Sequence, residues 1–314
     1  CLSEQAGIKY PELPKGVRAE SMNQKEIIES LESTGQHKVI SKFTKPDFYH
    51  EDDGSEKLQG IYLDVETTGL SHEIDKIIEI ALVPFEFSKD GRIFTVNDSY
   101  SCLEDPKIPL PKKIIALTGL TDEMLAGKTF DADGIEKIVE PASLIIAHNA
   151  NFDRRFVEKR FSIFEKKSWA CSVSQVPWED EGIASSKLEY LAYKFGFFFD
   201  GHRAEIDCYA ALHLLSKTLP KSGDLVLNTL LKNARSKTYR VWAVDSGYGK
   251  KDALKNRGYR WCTGETEGRR SWYIDVEEQA KEAELVYLRE EVFERDVNLP
   301  LDTITAFNRF SGRI

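Results

Sequence analysis

Short apolar runs separated by polar turns dominate the chain from Gly60 onward, and they predict strands. Residues 61–63 read as the first, 76–85 as the second, and 92–102 as a third behind the Lys89-Asp90-Gly91-Arg92 turn. The spacing then becomes helical. Pro109-Leu110-Pro111 opens a helical stretch that Gly119 stops, and Thr121 stands where the next helix needs an N-cap. Residues 144–147 form a buried-type strand running into His148 and Asn149, and a helix starts at Asn151. A further strand is predicted over 170–173 and an amphipathic helix over 187–195. An Ala/Leu-rich helix follows to about Lys217. Strands followed by helices in this order predict an α/β domain with a mixed sheet and helices packed on it.

The ends of the chain read differently. Residues 1–57 are polar and mixed, with helical spacing over 23–32, and are expected to form a partly helical arm packed on the main domain. Residues 218–236 read as a helical linker. Alternation returns at 239–244, and strands are predicted again at 258–261, 271–276 and 303–307. Helices are predicted over 250–257 and 277–295. The expected organisation is therefore an arm (1–57), an α/β domain (58–217), a linker (218–236) and a small α+β domain (237–314).

The chain has 314 residues, 41% hydrophobic and 30% charged, an ordinary globular balance. Its net charge of −9 does not advertise a nucleic-acid binder. The charge is uneven, however. Residues 232–273 hold 11 Lys and Arg against 4 Asp and Glu, interleaved with Tyr239, Trp242, Tyr248, Tyr259, Trp261, Trp272 and Tyr273. Cations mixed with aromatics suit single-stranded nucleic acid, although aromatics alternating on short strands also build cores. Five scattered cysteines, without a C-x-x-C pair, argue against a disulfide framework and a zinc site. No apolar run is long enough to span a bilayer. No membrane association and a cytoplasmic location are expected.

Three stretches carry candidate chemistry. Asp64 and Glu66 stand at i and i+2 of a strand and so share a face, where two acids repel each other unless a cation lies between them. Thr67-Thr68-Gly69 ends that strand in a tight turn in which Gly69 is free to adopt positive φ. Asp153 falls in the first turn of its helix, and Asp207 early in another, five residues after His202. Each acid alone has a plain explanation as a strand-end or helix-start carboxylate.

Taken together, Asp64-Val65-Glu66-Thr67-Thr68-Gly69-Leu70, His148-Asn149-Ala150-Asn151-Phe152-Asp153 and His202-Arg203-Ala204-Glu205-Ile206-Asp207 resemble the three motifs of the DEDDh family of 3′–5′ exonucleases. That family includes the proofreading (epsilon) subunit of bacterial DNA polymerase III and the ribonuclease T group. The resemblance covers roughly residues 58–217, and the small domain at 237–314 resembles the C-terminal extension of some members. It implies a ribonuclease H-like mixed sheet flanked by helices, and phosphodiester hydrolysis with two Mg²⁺ or Mn²⁺ ions. It also implies that Asp64, Glu66, Asp153 and Asp207 hold the metals and that His202 is the general base. Thr67, Thr68, Leu70, His148, Asn149 and Phe152 would contact the terminal nucleotide, with ordinary packing the alternative for Leu70 and Phe152. The expected substrate is the 3′ end of single-stranded or frayed DNA, with a DNA polymerase or repair complex as candidate partner. The alternatives are RNA trimming and a non-catalytic adaptor.

Overall fold

The computed structural model describes residues 23–46, 48–264 and 269–313, so residues 1–22 of the expected arm lie outside it. The chain separates into one unit ending at Lys42 and another from Phe43 onward. In the first, helix α1 (Gln24–Ser33) is closed at its start by a capping box between Asn23 and Glu26.

The second unit is built on a mixed sheet. Strand β1 (Leu58–Thr67) pairs antiparallel with β2 (Ile77–Phe87) along its whole length. The segment expected as one strand over 92–102 is two, β3 (Ile93–Val96) and β4 (Tyr100–Leu103), both on the outer edge of β2. The break falls at Asn97-Asp98-Ser99, polar residues that favour turns over a continuous ladder. Helices α2 (Lys112–Thr118), α3 (Asp122–Leu125) and α4 (Ala132–Val139) follow, with Gly119 ending α2 at φ +70° and Thr121 capping α3. Strands β5 (Leu144–Ala147) and β6 (Trp169–Cys171) complete the sheet in parallel, giving the order β3-β2-β1-β5-β6. This is a ribonuclease H-like mixed sheet.

Both faces of the sheet are buried, which explains why its strands read as near-continuous apolar runs. Leu63, Val65 and Leu82 pack against α4 and α5 (Ala150–Arg160). Tyr62, Ala81 and Val83 pack against α6 (Leu188–Lys194), α7 (Ala204–Leu215) and α8 (Val226–Arg235). Helix α8 lies in the stretch expected as a linker. Its Val226, Leu227, Leu230 and Leu231 are buried in this same core.

A second, four-stranded antiparallel sheet follows in the order β8-β9-β7-β10. Its strands are β7 (Thr238–Ala243), β8 (Arg260–Cys262), β9 (Ser271–Glu277) and β10 (Leu301–Ile304). Helix α9 (Lys251–Asn256) and helix α10 (Glu278–Tyr287) cover it. The long helix expected over 277–295 changes at Leu288 into a wider π-helical turn. Beyond β10 the chain returns to α5. The fully buried Arg154 donates from Nη1 to Arg309 O (2.7 Å) and from Nη2 to Phe307 O (2.7 Å). Its Nε bonds Glu158 at 2.7 Å, and its guanidinium stacks on Trp169. No helix among the described residues is long and apolar enough to cross a membrane.

Candidate active site

Strand β1 sets Asp64 and Glu66 on the face that meets α7. Tyr62, two residues earlier, is buried in that layer, and strand side chains alternate. Parallel pairing of Tyr62 with Ile146 brings the end of β5 level with Asp64. The turn at His148-Asn149 then returns the chain into α5, with Asp153 in its first turn. Asn149 makes that turn at φ +78°, a left-handed conformation that asparagine tolerates better than most residues. His202, at φ +68°, leads into α7, which delivers Asp207.

These elements bring carboxylate oxygens of Asp64, Glu66 and Asp207 within 4.8 Å of one another. Asp153 is buried beside them, accepts from the backbone N–H of Val65, and opposes the ionisation of Asp64. Burial, more than any other cause, pushes all four acids up. Asp64 lies well above the carboxylate range, raised further by Asp153, Asp207 and Glu66. Glu66 is raised to about 7 by burial and by Asp207 and Glu79. Asp153 rises to about 8, and Asp207 to about 6, the latter restrained by the Arg203 N–H that donates to its Oδ2 at 3.0 Å. Such a group of buried acids is short of positive charge. Its all-oxygen donor set fits hard divalent cations such as Mg²⁺ or Mn²⁺ and not zinc.

The turn after β1 is a closed loop held by Asp75. Thr68 Oγ1 donates to Asp75 Oδ1 (3.0 Å) and Ser71 N donates to Asp75 Oδ2 (2.9 Å). Thr67 Oγ1 donates to Gly69 O at 2.6 Å. Gly69 is not required for positive φ, as its sequence context suggests. A Cβ there would meet the Asp75 carboxylate at 2.5 Å, so close approach is what excludes a side chain. The loop leaves Leu70 85% exposed, available to a ligand. Phe152 is half-buried against Phe156, 4.9 Å between ring centroids, which favours packing for at least one of its faces.

His148, expected near the nucleotide, has both ring nitrogens engaged within the protein. Nε2 donates to Ser186 O (2.8 Å), and Nδ1 accepts from Ser172 Oγ (2.8 Å), which in turn meets Tyr62 OH. Burial lowers its pKa to about 4, so the ring is a neutral support under the β5 end. His202 is exposed in the loop before α7 and is free of such ties.

Two further residues support the site without belonging to a motif. Glu79, fully buried on β2 directly opposite Glu66, takes the Arg203 fork (Nη2 2.9 Å, Nε 3.2 Å) and the N–H of Ala204. It thereby fixes the start of α7 between His202 and Asp207. Arg154, adjacent to Asp153, ties α5 to residues 306–309. A lone Glu inside the 77–83 apolar run was a visible signal for the first. Nothing local marked the second, whose partners lie 153 and 155 residues away.

The stretch that carries these residues is similar to known proteins. Residues 61–215 match the model of the RNase T family, described as exonuclease. A PolC-type DNA polymerase III from Clostridium perfringens is 34% identical over 152 residues, 47% of this chain and 10% of that protein. The PolC-type polymerase III of Thermotoga petrophila is 34% identical over 153 residues, again 10% of its length. The chain thus spans about a tenth of these curated relatives. Among solved structures, exonuclease X in complex with 5′-overhanging duplex DNA is 24% identical. It covers 53% of this chain and 99% of that one, with a TM-score of 0.39.

Proposed function

We propose that this protein, whose residues 61–215 match the RNase T family model described as exonuclease, is a 3′–5′ exonuclease of the DEDDh type that uses two divalent cations to remove nucleotides from DNA 3′ ends, single-stranded or frayed, releasing nucleoside 5′-monophosphates. The observation that carries this reading is the convergence of Asp64, Glu66 and Asp207 within 4.8 Å, with Asp153 at their side. Asp64 would serve both ions, Glu66 and Asp207 the one on the nucleophile side, and Asp153 the one on the leaving-group side. When bound, the cations acidify the attacking water and stabilise charge on the phosphate and the leaving oxygen.

The remaining work falls to the chain. His202, exposed and unencumbered, takes the proton from the attacking water. The Thr67–Thr68 turn offers backbone groups to the terminal nucleotide, and the exposed Leu70 supplies an apolar surface for its base. Asn149, exposed at the start of α5, lies where a phosphate would approach. DNA is favoured over RNA because the relatives matched are named DNA polymerases. A polymerase or repair complex is the corresponding partner.

The test is gel-resolved digestion of 5′-labelled single-stranded DNA and matched RNA with Mg²⁺, Mn²⁺ or EDTA. A metal-dependent 3′-end ladder stronger on DNA supports the reading. A stronger RNA ladder would move the protein to RNA trimming, and no ladder on either would overturn catalysis.

A further inference from the structure

A cleft of about 1060 Å³ runs from the start of α5 to the face of the second sheet. That exceeds the roughly 300–1,000 Å³ of small-molecule sites, and its lining is mostly polar and charged. One end is formed by Asn149 and Arg155, four residues before and two after Asp153. The shielded Nε of Arg155 has no hydrogen-bond partner. The cleft therefore begins beside the first turns of α5, the helix that carries Asp153.

Its far wall carries Lys237, Arg240 and Arg260. Arg240 and Arg260 lie against the Tyr273 ring, 4.2 and 4.9 Å from its centroid. Both bond the single carboxylate of Asp275, Arg240 through Nε at 2.7 Å and Arg260 through Nη2 at 2.9 Å. Two guanidinium groups are thus held in place while sharing one counter-charge, so a net positive charge remains at a fixed position. Of the other acids on the same lining, Glu278 is already occupied by Lys281 at 2.6 Å and by the Tyr239 hydroxyl, while Glu277 accepts from the Gln279 amide at 2.6 Å and keeps its charge; Arg155, Lys237, Arg240, Arg260 and Arg309 still outnumber the three lining carboxylates.

Of the aromatics that the sequence offered as stacking partners, Tyr273 alone is on the cleft lining, and its ring already carries Arg240 and Arg260. Trp242 and Tyr259 are buried, Tyr259 donating to Glu284 at 2.7 Å, and Trp272 packs on the core of the second sheet. Tyr248 is 88% exposed but does not line the cleft. What the cleft provides is a set of ordered cations.

We propose that this cleft is the track for the unpaired strand upstream of the scissile phosphate, with Arg155 at its catalytic end and Lys237, Arg240 and Arg260 holding successive phosphates. This rests on the exonuclease reading for the identity of the occupant. The strand enters with its 3′ end at the acids and its 5′ portion between the sheets, so strands that reach Lys237 and Arg260 bind more tightly than those that do not.

The test compares the wild type with Lys237→Ala/Arg260→Ala, both exposed positions outside the cores. Anisotropy of 5′-fluorescein dT16 and dT3 is read in EDTA over a salt series. The wild type is expected to prefer dT16, and the variant to lose on the order of tenfold or more of that preference at low salt. Its salt slope should fall by about 1.4, the share of two phosphate contacts on a single strand. Binding of dT3 should not change. An unchanged dT16 affinity and slope would overturn the track. In parallel, Mn²⁺-dependent hydrolysis of the 4-nitrophenyl ester of thymidine 5′-monophosphate reads the acid site alone. Hydrolysis by both proteins alongside lost dT16 binding supports the proposal. No hydrolysis by the wild type would overturn the exonuclease reading and the assigned strand polarity, while the binding series would still decide whether the cleft holds nucleic acid.

Discussion

At the scale of single residues, four acids are held in a state that the free chain would not choose. A carboxyl whose folded pKa is raised prefers its neutral form in the fold. Nothing is lost below the unfolded value near pH 4, and stability falls as pH climbs through the folded value. The folded values here are about 6 for Asp207, 7 for Glu66 and 8 for Asp153. The metal-free protein should therefore melt at a lower temperature at pH 8 than at pH 5.5, and Mg²⁺ or Mn²⁺ should reverse much of the loss. Asp64→Asn should raise the metal-free melting temperature at pH 8 by a few degrees, on the scale of roughly 2–4 °C per kcal/mol, while abolishing hydrolysis. Melting curves in EDTA check this, and a lowered temperature for the variant would contradict the mutual repulsion. His202→Asn should reduce turnover by roughly 10²–10⁴-fold and leave the metal-induced rise in melting temperature intact. Turnover at the wild-type level would remove its role as base.

At the scale of elements, the strand and two helix starts that carry the clustered acids were legible because each carries its own periodicity and its acids sit at the junctions. The strand break at Asn97-Asp98-Ser99 and the burial of α8 were not legible. The first depends on β2 being long enough to take two partners on one edge. The second depends on an apolar helix face whose partner is the distant sheet. Glu79 shows what periodicity hides: one acid within an apolar strand, whose meaning comes from Arg203, 124 residues later. Arg203→Ala removes that fork and leaves a fully buried carboxylate with only the Ala204 N–H. The expected cost is about 1–3 kcal/mol of stability. A fall in turnover should accompany it as the start of α7 loosens, with Arg203→Lys restoring only part of either. Denaturant unfolding and single-turnover rates would measure both, and unchanged rates would limit Glu79 to a packing role.

At the scale of the whole molecule, residues 306–309, which follow the second sheet, are tied to α5 through Arg154. Removing residues 305–314 should leave that guanidinium buried with Glu158 alone, at a cost of roughly 3–5 kcal/mol. Arg154→Met in the same truncated chain should recover part of the loss, since an apolar side chain asks for no carbonyls. The four melting curves of that double cycle would show whether the two changes are coupled, and simple additivity would mean that the clamp contributes little. The clamp also sets an order on synthesis. Asp207, the last of the four clustered acids, leaves the ribosome about a hundred residues before the carbonyls that complete Arg154's bonds. At roughly 5–20 residues per second, a nascent chain spends about 5–20 s with all four clustered acids made but α5 still unfastened, so a chain cut short before residue 306 should carry the acids without the clamp on the helix that holds Asp153.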